Sequence, residues 1–110
     1  QWVQALQLLR EMAGSQVERD TITYDAAISA CERGGVWEQS LHLFYEMVDC
    51  RVDRDTITYN ATISACEKGQ QFGHAFSLFH EMADSRVERD TTTYNAAVSA
   101  CEGGQQWVQA

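Results

Sequence analysis

The chain contains no proline. Nothing in it can lock φ in a connector or stop a helix by removing an N–H, so helix ends must come from caps and glycines. Positive charge is also scarce: 8 Lys and Arg stand against 16 Asp and Glu, a formal net charge of −8. That balance excludes nucleic-acid binding through bulk electrostatics, which needs a basic face. It leaves open a single face that differs in sign from the rest. Uncharged runs such as Thr21–Tyr24 and Ala26–Cys31 are too short and too polar to span a bilayer, so no membrane partner is expected. The four cysteines show no C-x-x-C and have no nearby His pair, which removes the usual zinc spacing, and no metal or cofactor is expected. No charged segment followed by an apolar one marks a targeting signal. At 45% hydrophobic and 22% charged residues the chain is nonetheless composed like a folded protein.

What is present is repetition. Thr21-Ile22-Thr23-Tyr24 returns as Thr56-Ile57-Thr58-Tyr59 and as Thr91-Thr92-Thr93-Tyr94, a step of 35 residues. Asp20, Asp55 and Asp90 keep the step, as do Cys31, Cys66 and Cys101, and Met12, Met47 and Met82. Residues 21–55 and 56–90 share 20 identities in 35, too many for coincidence, and no residue is gained or lost between them. Self-similarity at this period marks a stacked repeat array. The cysteines then fall on equivalent positions and read as small buried thiols, whereas Cys50 has no counterpart and is expected on an exposed loop.

Each unit reads as two helices. Tyr24, Ala27, Ile28 and Cys31 stand at i, i+3, i+4 and i+7, a single helical face, and Tyr59, Thr62, Ile63 and Cys66 repeat it. Asp20 and its equivalents precede this face as N-caps, and Gly34-Gly35 or Gly69 ends it. Trp37, Leu41, Phe44 and Val48, widened by Ser40 and Met47, form a second face, matched by Phe72, Phe76, Phe79 and Ala83. The spacing predicts helices near 1–13, 21–33, 36–48, 56–68, 71–83 and 91–102. The units are 21–55 and 56–90, preceded by the second half of a unit over 1–20 and followed by the start of another over 91–110, as expected of a piece of a longer array.

Thr58-Tyr59-Asn60 opening the first helix, Ser64-Ala65-Cys66-Glu67-Lys68-Gly69 closing it and Leu78-Phe79-His80-Glu81-Met82 in the second resemble the pentatricopeptide repeat over the whole chain. The resemblance implies an all-α, right-handed α-solenoid of antiparallel helical hairpins. It also implies binding of single-stranded RNA at about one nucleotide per repeat, in organellar RNA processing, editing, stability or translation, hence a mitochondrial or plastid location. Base reading is assigned in the family to the residue after the first-helix Tyr, here Asp25, Asn60 and Asn95, and to the last residue of the repeat, here Asp20, Asp55 and Asp90. The residue two before the Tyr sandwiches the base, here Ile22, Ile57 and Thr92, and a basic residue near the helix end contacts phosphate, here Arg33 and Lys68, with Gly103 at the third site. The Asn60 and Asp90 pair is similar to the family combination that prefers uracil. The Asp25 and Asp55 pair departs from it, with two acceptors and no amide donor. Arg19, Arg54 and Arg89 replace the family's proline before the terminal Asp, a loss of φ restraint worth a few tenths to about 1 kcal/mol per repeat.

Simpler roles compete with some of these. The three Asp residues suit plain N-caps, Asn60 and Asn95 suit local backbone bonding, and Arg33 and Lys68 suit the helix dipole. Trp2, Trp37, Phe72 and Trp107 are expected in the core of second helices, and His42, His74 and His80 on the surface. No nucleophile elbow, phosphate loop or catalytic carboxylate pair is present, so neither an enzyme nor a small-molecule substrate is expected. The other function class is a protein-binding helical scaffold, which the acidic charge favours.

Overall fold

The computed structural model describes residues 2–15 and 17–104. It holds six helices of 13 residues: α1 Trp2–Gly14, α2 Thr21–Arg33, α3 Trp37–Asp49, α4 Thr56–Lys68, α5 Phe72–Asp84 and α6 Thr91–Gly103. Strands are absent among the described residues. The first helices of successive hairpins, α2, α4 and α6, pack directly on one another. Of the second helices, α3 and α5 each pack against the first helices on either side and α1 packs against α2, giving an elongated two-layer α-solenoid of 49 × 28 × 21 Å. Trp107 and the expected start of a further second helix lie outside the described residues.

The helices begin where the caps place them. Asp20, Asp55 and Asp90 are extended residues whose carboxylates accept from the N–H three positions on, in Thr23, Thr58 and Thr93. Without proline, the chain reverses through left-handed residues: Gly35 at φ 73°, but Gln70 at 61° and Arg51 and Arg86 at 59°. Only the first of these four turns uses glycine, so the glycine following each first helix has another purpose. A Cβ on Gly34 would overlap the Trp2 ring and one on Gly69 the Trp37 ring; in α6 it is the last helical residue, Gly103, one position earlier in the period, that lies against the Phe72 ring. The aromatic that opens each second helix therefore lies against the end of the next first helix, which sets the two antiparallel and in contact.

Tyr24, Ile28, Cys31, Tyr59, Thr62, Ile63 and Cys66 are fully buried, as the first-helix face predicts. Cys50 is exposed and all four described thiols are free; burial pushes the Cys66 thiol up to about 12, so it stays protonated. The second-helix face differs from expectation. Val48 is 51% exposed and Ala83 is also exposed, while Leu43 and Leu78, off the expected stripe, are buried. A second helix touches two first helices, so its apolar surface has two lobes and not one stripe, and positions 43 and 78 serve the second lobe. Phe76 and Phe79 are only partly buried, on the last described second helix, which has no described second helix beyond it. Leu8, equivalent to Leu43, is 61% exposed at the opposite end of the stack for the same reason.

Arginines replace the missing prolines. Arg54 lies 4.3 Å above the Phe44 ring and 5.4 Å from Tyr59 while Nη2 meets Glu81 at 3.3 Å, so one side chain ties two hairpins together. Arg19 repeats this with Tyr24 and Glu46, and Arg89 covers Phe79 while donating to its carbonyl at 2.7 Å. A cation–π contact contributes about 0.5–1 kcal/mol, the size of the lost proline restraint, so the two effects offset.

Gly69→Ala should lower the melting temperature, although alanine at this φ of −85° would otherwise stabilise, because its methyl displaces Trp37. Trp37→Ala should cost about 3 kcal/mol and Asn60→Ala much less. Thermal melts of the three variants check the assignment of faces, and equal losses for Trp37→Ala and Asn60→Ala would refute it.

Candidate nucleic-acid interface

The opening turns of α2, α4 and α6 form one continuous strip. Ile22 and Asp25, Ile57 and Asn60, and Thr92 and Asn95 are each three residues apart and so share a helical face. Ile22 is 78% and Ile57 61% exposed, large apolar side chains that nothing in the fold covers. Thr92 and Asn95 are exposed as well, Asn60 is half-buried and Asp25 is only 8% exposed.

Asn60 and Asp25 each reach the cap of the following first helix. Asn60 Nδ2 donates to Asp90 Oδ1 at 3.0 Å, and Asn60 Oδ1 accepts from the Thr93 hydroxyl at 2.5 Å. Thr93 also closes the capping box of α6, accepting from the Asp90 N–H at 3.1 Å. The structure thus brings together the two positions, 60 and 90, that sequence separates by 30 residues. Hydrogen bonds from Asn60 and from the Thr93 backbone and hydroxyl hold the Asp90 carboxyl below its usual range.

The same frame is built around Asp25. The Thr58 hydroxyl donates to Asp25 and also lies 2.8 Å from Asp55, so one side chain links the two carboxyls. Burial, opposed by Thr58 and reinforced by the bond and charge of Asp55, pushes Asp25 up to about 7. Asp55 moves the other way: burial raises it, but bonds from the Thr58 backbone, the Thr58 hydroxyl and Asp25 outweigh that. Near neutral pH the Asp25 carboxyl is therefore about half protonated, at the position where an amide N–H sits in the next unit. The remaining surroundings carry little charge toward Asp25. Glu46 of α3 accepts from both the Tyr24 hydroxyl and Arg19, and α1 brings Leu8, Leu9 and Met12 beside Thr23, Ala26 and Ala27. Asp20, whose carboxyl is lowered by the backbone and hydroxyl of Thr23, caps α2 without an equivalent partner, and Asn95 likewise has no described cap beyond it.

The basic residues are less available than expected. Lys68 Nζ is bonded to Glu32 Oε2 of the preceding first helix, which also accepts from Ser64 at 3.4 Å, while Arg33 is exposed. Sequence reasoning missed Glu32, the Thr hydroxyls that couple cap to neighbour, and Glu46 and Glu81, which accept from the buried Tyr24 and Tyr59 hydroxyls at 2.8 and 2.9 Å. The signal was there in the fixed Thr-x-Thr-Tyr and Leu-Phe-x-Glu-Met strings. His42, His74 and His80 are exposed, and among the described residues no group of three His, Cys, Asp or Glu could hold a metal. No described helix is long and apolar enough to cross a membrane.

A two-layer stack of equivalent hairpins, with one coupled polar pair per junction beside an exposed apolar residue, defines a helical-repeat protein. Residues 7–69 match the pentatricopeptide repeat domain model and residues 54–102 the PPR repeat family model. The chain belongs to the pentatricopeptide repeat family. It superposes on the crystal structure of the pentatricopeptide repeat protein PPR10 from maize with a TM-score of 0.82 at 24% identity, covering 99% of this chain and 16% of that one. It also superposes on PPR10 in complex with an 18-nt psaJ RNA element, with a TM-score of 0.78 at 24% identity over 99% of this chain and 17% of that one. The chain thus spans about one sixth of the proteins whose fold it shares. No curated protein matches it.

Asp25→Asn should stabilise the chain increasingly as pH rises. The Asp25 carboxyl is raised in the fold, so its contribution is full below about 4 and is lost as pH rises through about 7. The amide carries its hydrogens at every pH. The difference in melting temperature between variant and parent should grow from pH 5 to pH 8, and a constant difference would show that Asp25 does not hold the proton.

Proposed function

We propose that the chain is part of a sequence-selective single-stranded RNA-binding protein, reading about one nucleotide per repeat over units 21–55 and 56–90 and the flanking parts 1–20 and 91–110. One observation carries this reading: the Asn60–Asp90 bond of 3.0 Å couples adjacent hairpins at the edge of a strip that exposes Ile22 and Ile57. An amide held by one hydrogen bond keeps a second N–H in a fixed direction, the arrangement needed to address a Watson–Crick edge. Uncovered β-branched side chains on both sides suit the faces of an unstacked base. Asp25 with Asp55, Asn60 with Asp90, and Asn95 and Asp20 at the ends read bases; Ile22, Ile57 and Thr92 sandwich them; Arg33 and Lys68 meet phosphate. The family's known roles point to organellar RNA processing, editing, stability or translation, and to a mitochondrion or plastid.

Binding of a protein ligand is the second reading, and the Lys68–Glu32 pair together with the net charge of −8 favours it. Glu32 neutralises the cation that phosphate would need.

So few repeats make too few contacts against the entropy of ordering a flexible strand, so the 110-residue chain alone should bind RNA weakly or undetectably. Extended with further copies of its own unit, it should favour uracil opposite Asn60 and Asp90, and Asn60→Thr should move that preference toward guanine. Lys68→Ala should weaken all sequences alike and lower the salt slope by about 0.7, the single-strand value per phosphate contact. Base preference that ignores residue 60, with only overall affinity changing, would favour the scaffold.

A further inference from the structure

The two complete junctions differ by the chemistry of one group. At Asn60 the amide nitrogen carries two hydrogens and gives one to Asp90, so one donor remains for a ligand. At Asp25 that nitrogen is an oxygen. The Thr58 hydroxyl has a single proton, lies against both Asp25 and Asp55, and accepts from the Asp55 N–H at 3.1 Å. Below neutral pH the Asp25 carboxyl, raised to about 7, carries one further proton. If that proton leaves, both groups are carboxylates. With both ionised the junction offers only lone pairs: those of Asp25 at 8% exposure and, beside it, those of the exposed Asp55.

We propose that Asp25 and Asp55 form an acceptor-only reading position that selects guanine, in contrast to the donor-bearing Asn60–Asp90 position. The proposal rests on the RNA-binding reading above. Guanine alone among the four bases presents two adjacent donors, N1–H and the N2 amine, on its Watson–Crick edge. Two carboxyl oxygens can accept both. Uracil offers a single N3–H between two carbonyl oxygens, and adenine and cytosine place a ring acceptor beside their amine. Each of these three sets at least one lone pair against a carboxyl oxygen with no hydrogen between them. Ile22 on one side and Ile57 on the other supply apolar faces for the purine, and both are open.

The test uses the whole 110-residue chain extended with copies of its own unit, and RNAs that vary only at the nucleotides opposite the two junctions. Binding should be on the order of tenfold tighter with guanine than with uracil opposite Asp25 and Asp55, the discrimination typical of a good bidentate base contact. Asp25→Asn, nearly isosteric, should restore the outward donor and invert the preference to uracil. Asp55→Asn, which still caps α4, should abolish the guanine preference. Thermal melts establish that each variant is folded. Uracil preferred by the parent, or a preference unmoved by Asp25→Asn, overturns the proposal. If the Asn60 junction still responds to Asn60→Thr in that case, the RNA reading stands and only the guanine assignment falls; if neither junction responds, the RNA reading falls with it.

Discussion

A hairpin of two 13-residue helices has more apolar surface than it can cover by itself, and the rest of the structure follows from that constraint. Every second helix must lie between two first helices, and every first helix must lie against the next. The result is a stack in which burial depends on position in the row. Tyr59 is fully buried, while the equivalent Tyr94 is 51% exposed, on the last described helix. Identical side chains thus contribute differently because their neighbours differ, as expected where nearest-neighbour interfaces carry much of the stability.

The junctions between hairpins combine three contacts that recur with the period. An aromatic lies on a glycine at the helix end, an arginine covers an aromatic pair, and a tyrosine hydroxyl donates to the glutamate that the arginine also holds. The tyrosine hydroxyl and the glutamate would each be costly to bury alone, and together they are satisfied. The strip on the far side of the first helices inherits its geometry from these contacts. Asp55 and Asp90 reach the residue one unit back because the caps are held in register by Thr21 and Thr56, whose hydroxyls donate to the carbonyls of Asp53 and Glu88 at 2.6 Å.

Much of this was legible beforehand, and for identifiable reasons. The 35-residue step and the i, i+3, i+4, i+7 spacing of Tyr24, Ala27, Ile28 and Cys31 depend only on helix periodicity, and the first-helix core agrees with them residue by residue. Second-helix starts were placed one residue early, at 36 and 71, because the left-handed turn at Gly35 and Gln70 delays the first helical residue. Val48 was placed inside and Leu43 was left unassigned, since a single stripe was assumed where the helix has two neighbours.

The sequence by itself determined the period, the helices and their caps, and which residue types would meet at each junction. Those are local properties, set by propensity, spacing and hydrogen-bonding capacity within a few residues. Only the tertiary structure decided that the glycines at 34, 69 and 103 make room for a ring, that Lys68 is neutralised by Glu32, and that the Thr58 hydroxyl links Asp25 to Asp55. Each of these depends on a distance between units, and that distance exists only once the stack has closed.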